Sequence, residues 1–411
     1  MRSPDSCWLV SGPRWTGGST PLPGRAGVLV LGAGVMGSTL AYWLARAGHA
    51  PLVLDRNDSP AEGSSGRNAG RVIQGGNAQH APAIERFGHG QALAVYRATL
   101  VNRDLVREVT AREGIEAHRT TTAKLDLTDS EDEALELKRT ADALSADGIA
   151  AEWLDLPGAR RVFGTDLPDT VLGGLHRPDQ DAVHSVGYVR GIADAARRHG
   201  ATFSLGVTAT SLERTEEGAW RVGTDAGEVL ADQVVVALNA WTGRLLPELD
   251  ARITPVRGQL VQTAPVPFRI PQWGLDRGLV YGGQNQDGSL LLGGLRTTVP
   301  NRDENIELPA DANTPAFSPE LADRLATALP ALLPETAGVP VVRAWSGVMA
   351  FTPDRCPLVG AMPGRPGLWV MAAFSGHGMP YSQVVAHQLA ERIGGGAGAG
   401  LPAAFDPARF R

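Results

Sequence analysis

Three glycines near the start of the chain stand at a spacing that suits a phosphate. The run GAGVMG occupies residues 32 to 37 and follows four apolar residues. In such a run Gly32 permits a tight turn, Gly34 lets the backbone approach a pyrophosphate, and Gly37 lets the following helix pack closely. Asp55 stands 21 residues after Gly34, where its carboxylate can accept hydrogen bonds from ribose hydroxyls. These residues predict a dinucleotide site, and the spacing alone fits NAD as well as FAD.

A second glycine-rich run lies near the other end of the chain. FSGHGM, residues 374 to 379, precedes an amphipathic run that predicts a helix, and Pro380 suits its first turn. Gly376 and Gly378 would let the backbone approach a ring system, and the N-terminus of the helix would stabilise negative charge there. A nicotinamide enzyme seldom needs such a loop, so the two runs together favour FAD. His377 is expected either to donate a hydrogen bond or to pack.

The elements that would position these runs follow from the apolar pattern. Residues 28 to 31, a helix to about residue 47 and residues 52 to 54 predict a β-α-β unit that opens a parallel, doubly wound sheet. Residues 278 to 295 predict an antiparallel hairpin that turns at residues 286 to 288. We therefore predict an α/β fold, with a Rossmann-like FAD-binding domain and an inserted, mostly antiparallel α+β substrate domain.

The predicted domains are discontinuous. The FAD-binding domain is assigned to residues 27–88, 152–250 and 341–394, and the substrate domain to residues 89–151 and 251–340. Residues 1–26 are rich in Pro, Gly and Ser, so we expect a flexible N-terminal extension rather than a signal peptide. Residues 395–411 are expected to form a C-terminal tail, which starts with a flexible glycine-rich linker.

The composition argues against several classes of protein. The chain has 411 residues, a net charge of -6 and no dense block of Lys or Arg, so neither nucleic acid nor a membrane is an expected partner. Its two cysteines, Cys7 and Cys356, lie far apart in sequence, which excludes a disulfide framework and a cysteine metal cluster. We expect no metal site and a cytoplasmic location, because free thiols suit a reducing compartment.

Five segments occur in an order that is typical of one family. They are GSSGRNAGRV (63–72), PVRGQL (255–260), WSGVMAFTPD (345–354), FSGHGM (374–379) and FDPARF (405–410). With this order the chain resembles the FAD-dependent D-amino-acid oxidase superfamily, and most of all its sarcosine oxidase and glycine oxidase branch, from residue 27 onward. The resemblance implies oxidation of the carbon–nitrogen bond of an amine or amino acid, with hydride transfer to flavin N5 and hydrolysis of the imine in water.

The resemblance also implies roles for particular residues. In that family the GSSGRNAG loop wraps the pyrophosphate and flavin, and the helix after FSGHGM faces the flavin edge that becomes negative on reduction. The expected cofactor contacts are Gly32, Gly34, Val35, Met36, Gly37, Asp55, Arg56, Ser64, Ser65, Arg67, Asn68, Ala69, Gly70, Ala209, Trp241, Gly376, His377, Gly378 and Met379. Tyr281, His377 and Arg71 are expected to position the substrate in catalysis, and no acid–base residue is nominated.

Several positions depart from the pattern of the branch. Gly347 stands where sarcosine oxidases attach FAD through a cysteine, so noncovalent FAD is expected. Leu291 stands where those enzymes place an oxygen-activating lysine, so the electron acceptor is either oxygen or an electron carrier. Basic residues that bind a carboxylate are replaced by Pro380, Gln74 and Met349.

The substrate pocket is expected to use the positions that remain. Arg71 keeps one of the basic positions of the branch, and Arg257, Arg296 and Met349 are the expected substrate contacts. The substrate is a small-molecule amine or amino acid, and amines without an α-carboxylate, such as glutamylated polyamines, stay possible. Two alternatives also stay open. One is an NAD-dependent dehydrogenase, in which the C-terminal glycines are incidental, and the other is a non-catalytic nucleotide-binding subunit.

Overall fold

The computed structural model describes residues 5–296, 317–396 and 400–410. Its α-helices are α1 (Cys7–Ser11), α2 (Val35–Arg46), α3 (His80–Phe87), α4 (His89–Arg112), α5 (Glu131–Ala146), α6 (Leu156–Phe163), α7 (Ser185–Arg198), α8 (Pro319–Leu332) and α9 (Gly378–Ile393). Its strands from the N-terminal half are β1 (Arg25–Leu31), β2 (Leu52–Asp55), β3 (Arg71–Val72), β4 (Thr120–Thr128), β5 (Glu152–Asp155), β6 (Gly173–Ala182) and β7 (Thr202–Leu205). The later strands are β8 (Ala209–Arg214), β9 (Trp220–Thr224), β10 (Gly227–Val236), β11 (Thr254–Pro265), β12 (Gln272–Leu275), β13 (Val280–Gln284), β14 (Ser289–Gly294), β15 (Val341–Phe351), β16 (Leu358–Ala361) and β17 (Leu368–Ala372).

The first sheet has a parallel centre. Its strand order is β16-β17-β10-β1-β2-β7, and β9 pairs with β10 on one side and β8 on the other. Strands β17, β10, β1, β2 and β7 are parallel, and β16 runs antiparallel to β17. Successive residues of β1 are buried in two different clusters, Val30 with α2, α7 and α9, and Leu29 on the opposite face. Burial on both faces explains why these strands are apolar throughout.

The second sheet is mostly antiparallel. Its order is β15-β11-β14-β13-β12-β4-β6-β3, with β5 paired to β6, and β12 with β4 is its parallel pair among the described residues. Leu125 and Leu127 of β4 pack with Leu321 and Leu325 of α8 in one core cluster. The hairpin of β13 and β14 is antiparallel, as its sequence predicts. The α/β fold with a second, mostly antiparallel sheet is therefore confirmed.

Four strands from the predicted FAD-binding domain belong to the second sheet. β3, β5, β6 and β15 belong to the second sheet, although the sequence assignment placed residues 27–88, 152–250 and 341–394 in the FAD-binding domain. β15 pairs with β11 over most of its length, and β6 pairs with β4. The reason is physical, because the apolar pattern of a strand indicates its buried faces and not the strand beside which it lies.

The two ends of the chain are packed where the structure describes them. Within the predicted flexible extension, Trp8 is buried on α1 and β1 begins at Arg25. In the C-terminal tail, Phe405 is buried, and the Arg409 guanidinium pairs with the Asp354 carboxylate at 2.7 Å. Both segments carry large side chains that bury against the body. The described part of residues 1–26 is therefore packed, although a flexible extension is predicted there, and the tail after the glycine linker is packed as well. Residues 397–399 of the glycine linker and residues 297–316 of the predicted substrate domain lie outside the described residues.

No helix among the described residues combines the length and apolar character that a membrane crossing requires. Across the same residues, no group of three or more His, Cys, Asp or Glu side chains is arranged to hold a metal ion.

Candidate cofactor and substrate site

A cavity of about 820 Å³ is lined by residues of both sheets. Gly32 and Gly34 reach it from the first glycine-rich run, and Gly376 and Gly378 reach it from the second. Runs more than 330 residues apart in sequence therefore meet at one site. Their approach follows from the topology, because β1 and β17 both lie beside β10 in the parallel centre of the first sheet.

The turn between β1 and α2 depends on glycine. Gly32 has φ +107°, a conformation that side chains disfavour, and its N–H donates to the Leu54 carbonyl oxygen at 2.6 Å. A Cβ on Gly37 would lie 1.8 Å from the Gly32 carbonyl oxygen, so α2 can begin this close to β1 only with glycine at 37. Gly37 does not line the cavity, and it packs beneath the turn as its spacing predicts; its cofactor contact stays a prediction.

Asp55 ends β2 with a fixed carboxylate. Its Oδ2 accepts a hydrogen bond from the Ala33 N–H at 2.6 Å, and its Oδ1 accepts from the N–H and Nδ2 of Asn57 at 2.9 and 2.8 Å. Burial raises the pKa of Asp55, while these hydrogen bonds and the charge of Arg56 oppose the rise. The Arg56 guanidinium lies 4.6 Å from the ring centroid of Trp241. The oriented carboxylate keeps acceptor capacity for a ribose.

The loop of residues 63 to 70 is braced by its own polar side chains. The Ser65 hydroxyl accepts from the Val35 N–H at 2.8 Å, which ties the loop to the start of α2. The Asn68 amide donates to the Ser65 carbonyl oxygen at 3.0 Å and accepts from the Gly70 N–H at 2.7 Å. Gly70 lies outside the cavity lining, and a Cβ there would meet the Val183 carbonyl oxygen at 2.3 Å. Gly70 is thus held in close backbone packing, and its cofactor contact stays a prediction.

Helix α9 presents its N-terminus to the cavity. It begins at Gly378, and no side chain of the described residues caps its first turn, so the N–H groups there are available to a ligand. Asn102 of α4 fixes the helix, because its Oδ1 accepts from the Gln383 N–H at 2.7 Å and its Nδ2 donates to the Met379 carbonyl oxygen at 3.1 Å. The helix dipole favours negative charge at this place.

His377 precedes this helix as a neutral side chain. Its Nδ1 lies 3.3 Å from the Ser375 carbonyl oxygen and 3.3 Å from the Asn77 Nδ2. Burial lowers the pKa of His377 to about 4, the Ser375 contact opposes this, and the positive charges of Lys124 and Arg177 add to it. The imidazole is therefore uncharged at neutral pH and offers hydrogen bonding rather than charge.

Tyr281 and Arg71 lie over two glycines of the second sheet, and Arg296 lines the same cavity. A Cβ on Gly293 would lie 2.5 Å from the Tyr281 Oη, and a Cβ on Gly283 would lie 2.7 Å from the Arg71 Nη2. The Nε and Nη2 atoms of Arg71 are buried and have no hydrogen-bond partner among the described residues. Burial lowers the pKa of Arg71 to about 10 and raises the pKa of Tyr281, and the positive charges of Arg296 and Arg71 oppose the rise at Tyr281.

Most of the residues predicted from the sequence line this cavity. They are Gly32, Gly34, Val35, Met36, Asp55, Arg56, Ser64, Ser65, Arg67, Asn68, Ala69, Arg71, Ala209, Trp241, Tyr281, Arg296, Met349, Gly376, His377, Gly378 and Met379. Arg257 does not line it, so its predicted substrate contact has no support in the cavity lining. The neighbouring Gly258 lines the cavity, and the alternation of a strand turns successive side chains to opposite faces.

Several charged residues of the cavity wall were not predicted from the sequence, and three of them lie on adjacent strands. Lys124 and Asp126 on β4 and Arg177 on β6 line the cavity, and all three side chains are largely buried. The available signal was the alternation in β4, where Lys124 and Asp126 share one face and Leu125 and Leu127 the other. The sequence could not say that the polar face of this strand turns toward a cavity rather than toward water.

The residues present fit a noncovalently bound FAD. A Cβ on Gly63 would meet no atom within 4 Å, and one on Gly378 would meet none closer than the Met36 Cε at 3.6 Å, so both glycines face open space in the cavity. Gly347 offers no sulfur for a covalent bond. Cys356 lines the cavity, but burial raises the pKa of its thiol to about 11, so it is not a reactive thiolate.

The chain is similar to known proteins over most of its length. Residues 27–392 match the family described as DAO, FAD dependent oxidoreductase. The D-amino acid dehydrogenase of Rhizorhabdus wittichii is 27% identical over an alignment of 407 positions, gaps included, that covers 85% of this chain and 94% of that protein. The D-amino acid dehydrogenase of Chromohalobacter salexigens is 27% identical over an alignment of 431 positions, gaps included, that covers 93% of this chain and 99% of that protein.

Solved structures show the same fold. The L-proline dehydrogenase of P. horikoshii superimposes with a TM-score of 0.81 at 22% identity, and covers 95% of this chain and 98% of that one. The glycine oxidase of Geobacillus kaustophilus gives a TM-score of 0.78 at 21% identity, and covers 93% of this chain and 98% of that one. The family match confirms the predicted FAD-dependent oxidoreductase and does not support the NAD-dependent or non-catalytic alternatives. With its two glycine-rich runs meeting at one cavity and its sequence matching from residue 27 to residue 392, the chain belongs to the DAO family of FAD dependent oxidoreductases.

Proposed function

We propose that this protein oxidises the bond between the α-carbon and the nitrogen of an amino acid, with FAD as cofactor. The observation that carries the proposal is the Arg71 guanidinium, whose buried Nε and Nη2 have no partner among the described residues although the side chain lines the cavity. The Arg71 Nη1 donates to the Gln284 carbonyl oxygen at 3.4 Å, but leaving the other buried N–H groups without hydrogen bonds is costly, and a carboxylate is their best-matched partner. The D-amino acid dehydrogenases that the chain resembles act on such substrates by name.

The chain would orient the substrate with groups of the second sheet. Arg71 and Arg296 supply positive charge to the α-carboxylate, and Tyr281 lies within reach of both charges, with its phenol protonated at neutral pH. When bound, FAD supplies the two-electron acceptor that the protein side chains lack. The open first turn of α9 stabilises negative charge that develops near Gly378, and the neutral His377 beside it adds none.

We propose an electron carrier rather than oxygen as the acceptor. Leu291 stands at the position of the oxygen-activating lysine of the sarcosine oxidase branch, and it is fully buried in the core. The names of the two curated relatives as dehydrogenases support the same choice. We also propose a cytoplasmic location, since Cys7 and Cys356 are free, buried thiols that suit a reducing compartment.

Arg71→Met tests the proposal. The variant keeps an unbranched stem and removes the guanidinium with its charge, so we expect KM for amino acids to rise by about 10- to 100-fold, the worth of a charged hydrogen bond. The absorbance spectrum of bound FAD should stay unchanged. The measurement is anaerobic bleaching of the flavin by a panel of D- and L-amino acids and carboxylate-free amines, followed by admission of air.

Arg257→Met is the matched control, because Arg257 lies on the same sheet outside the cavity lining. It should bleach like the wild type. Equal bleaching by amines that lack a carboxylate would contradict the proposal, as would an unchanged KM in Arg71→Met. Rapid reoxidation in air would contradict the carrier as acceptor and leave the amino-acid substrate in place.

A further inference from the structure

A second charged group lies in the cavity apart from Arg71 and Tyr281. We call Lys124, Asp126 and Arg177 the Lys124 cluster. Lys124 and Asp126 stand two residues apart on β4, and Lys124 lies opposite Arg177 of β6 in the sheet register. Because successive side chains of a strand point to opposite faces, Lys124 and Asp126 share one face of β4, and both line the cavity.

The cluster is closely connected. The Lys124 Nζ lies 2.5 Å from the Asp126 Oδ1, and an Arg177 Nη2 pairs with the Asp126 Oδ2. Gln79 donates from its Nε2 to the same Oδ2 at 3.2 Å. Gly274 on the neighbouring β12 leaves space for the carboxylate, since a Cβ there would lie 3.0 Å from the Asp126 Oδ1. One carboxylate is thus shared by two buried cations.

The charges of the cluster do not balance. When Lys124 is protonated, two cations and one carboxylate leave one positive charge, and the side chains are only 14%, 9% and 5% exposed for Lys124, Asp126 and Arg177. The Arg177 Nε is buried and has no hydrogen-bond partner among the described residues. Burial and the charge of Arg177 lower the pKa of Lys124 well below its usual value, so its ammonium form needs a further negative charge beside it. An anionic group bound beside Lys124 and Arg177 would pair the excess charge and hold Lys124 in its charged form.

The cluster lies near the residues that flank the start of α9. Gln79, which bonds Asp126, is two residues from Asn77, whose Nδ2 donates to the Ser375 carbonyl oxygen at 2.8 Å. The charges of Lys124 and Arg177 also reach His377, whose pKa they help to lower. A ligand that occupies the cavity beside His377 is therefore within the field of the cluster.

We propose that Lys124 and Arg177 bind a second acidic group of the substrate, so that the protein prefers amino dicarboxylates over neutral amino acids. This inference rests on the proposed function, in which Arg71 and Arg296 hold the α-carboxylate. The cavity then offers two cationic sites. Arg71 on β3 and Arg296 after β14 form the first, and Lys124 on β4 and Arg177 on β6 form the second. A substrate with a single carboxylate would leave the positive charge of the Lys124 cluster unpaired.

The experiment compares glutamate with glutamine and aspartate with asparagine, as substrates of the holoenzyme under anaerobic conditions. Each pair has nearly the same shape and differs in one negative charge. We expect kcat/KM of the wild type to favour the acid over the amide at least about tenfold, and Lys124→Met to lose that preference. With the amides, Lys124→Met should lower kcat/KM by a smaller factor than it does with the acids.

Two further variants secure the comparison. Lys138→Met removes an exposed lysine outside the cavity and should keep the full preference. Arg177→Met removes the other cation. Like Lys124→Met, it leaves one cation paired with Asp126. It therefore serves as a second test of the preference if Lys124→Met does not retain FAD. Titration with succinate and with propionate, followed by the absorbance of bound FAD, measures binding without turnover. We expect succinate to bind more tightly than propionate in the wild type and equally in both cluster variants.

The outcomes separate the two proposals. Equal bleaching by acids and amides in the wild type, or an intact preference in both cluster variants, would overturn the dicarboxylate inference and leave the proposed function standing. Bleaching by no amino acid would overturn the proposed function, and the succinate titration would still decide the anion site. A cluster variant that loses only reactivity with oxygen would assign the cluster to the acceptor and overturn the inference.

Discussion

His377 shows how a buried position sets the chemistry of one side chain. The sequence offers a histidine between two glycines, which fits a charged or a neutral role equally well. In the structure, burial lowers its pKa to about 4, and the nearby positive charges of Lys124 and Arg177 add to the effect. An imidazole in this place accepts or donates a hydrogen bond near the start of α9 and carries no charge at neutral pH.

A dependence of stability on pH follows from this pKa. The unfolded chain has a histidine pKa near 6.5, so between about pH 6.5 and 4 the unfolded state binds a proton that the folded state does not. Stability contributed at neutral pH is therefore lost as pH falls through this range. We expect His377→Gln to lose less thermal stability than the wild type between pH 7 and 5, as measured by the unfolding midpoint of the holoenzyme. His387→Gln, half-buried on the same helix, should follow the wild type; an identical acid response in His377→Gln would contradict the account.

At the scale of elements, the short helix α1 holds the loop of residues 63 to 70. The Ser6 hydroxyl donates to the Gly66 carbonyl oxygen at 2.6 Å, and the Trp8 Nε1 donates to the Asn68 carbonyl oxygen at 2.6 Å. The Trp8 ring also contacts His184 edge to face at 5.0 Å. The loop lines the cavity, and the N-terminal segment thus supports this loop through hydrogen bonds to its backbone.

Trp8→Phe tests this brace. The variant keeps an aromatic ring and removes the hydrogen bond to Asn68, so we expect about 1 kcal/mol of lost support and FAD affinity lowered by up to about tenfold. The measurement is titration of the apoprotein with FAD, followed by quenching of flavin fluorescence. Val10→Ala changes an exposed residue of the same helix and should bind FAD like the wild type. Unchanged affinity in Trp8→Phe would show that α1 packs without supporting the loop.

The start of α9 allows a test of the cofactor position. A Cβ at Gly378 would meet protein atoms only at ordinary contact distances, the Met36 Cε at 3.6 Å and the Phe374 Cβ at 4.0 Å. We therefore expect Gly378→Val to fold, because the added atoms project into the cavity rather than into the core. FAD retention should fall sharply if the flavin lies there, as measured by the ratio of flavin to protein absorbance after purification.

A matched control is Gly90→Ala, since Gly90 is exposed on α4 and a Cβ there would meet no atom within 4 Å. This variant should keep both fold and flavin. Full flavin content in Gly378→Val, with the circular dichroism spectrum of the wild type, would place the cofactor away from the N-terminus of α9.

At the scale of the whole molecule, the cavity joins the two sheets. Its wall includes Leu31 of β1 and Leu54 of β2 in the first sheet, and Tyr281 of β13 and Met349 of β15 in the second. A ligand that fills such a cavity binds the folded state and not the unfolded one. The stability of both sheets should therefore depend on the cofactor.

We expect FAD at 100 times its Kd to stabilise the apoprotein by about 2.7 kcal/mol, with both sheets unfolding in one transition. The measurement is calorimetry of the apoprotein with and without FAD. NAD at the same concentration is the control and should leave the midpoint unchanged. Equal stabilisation by NAD would contradict the assignment of the cavity to a flavin.

The sequence by itself determined the local elements and the identity of the cofactor-binding runs. Gly32, Gly34 and Asp55 could be recognised because a phosphate turn needs a short, fixed spacing between residues that are neighbours along the chain. The β-α-β unit and the hairpin of β13 and β14 follow from periodic patterns of the same local kind. The segments that resemble the family extended these local patterns to nearly the whole chain.

Tertiary structure alone decided which segments stand beside one another. The pairing of β6 with β4 moved residues 173 to 182 from the predicted FAD-binding domain into the second sheet, and it placed Arg177 opposite Lys124. The face on which Arg257 lies and the burial of Trp8 were decided in the same way. The physical reason is that strand pairing and burial depend on contacts between distant residues, whereas sequence patterns report only which faces of an element are apolar.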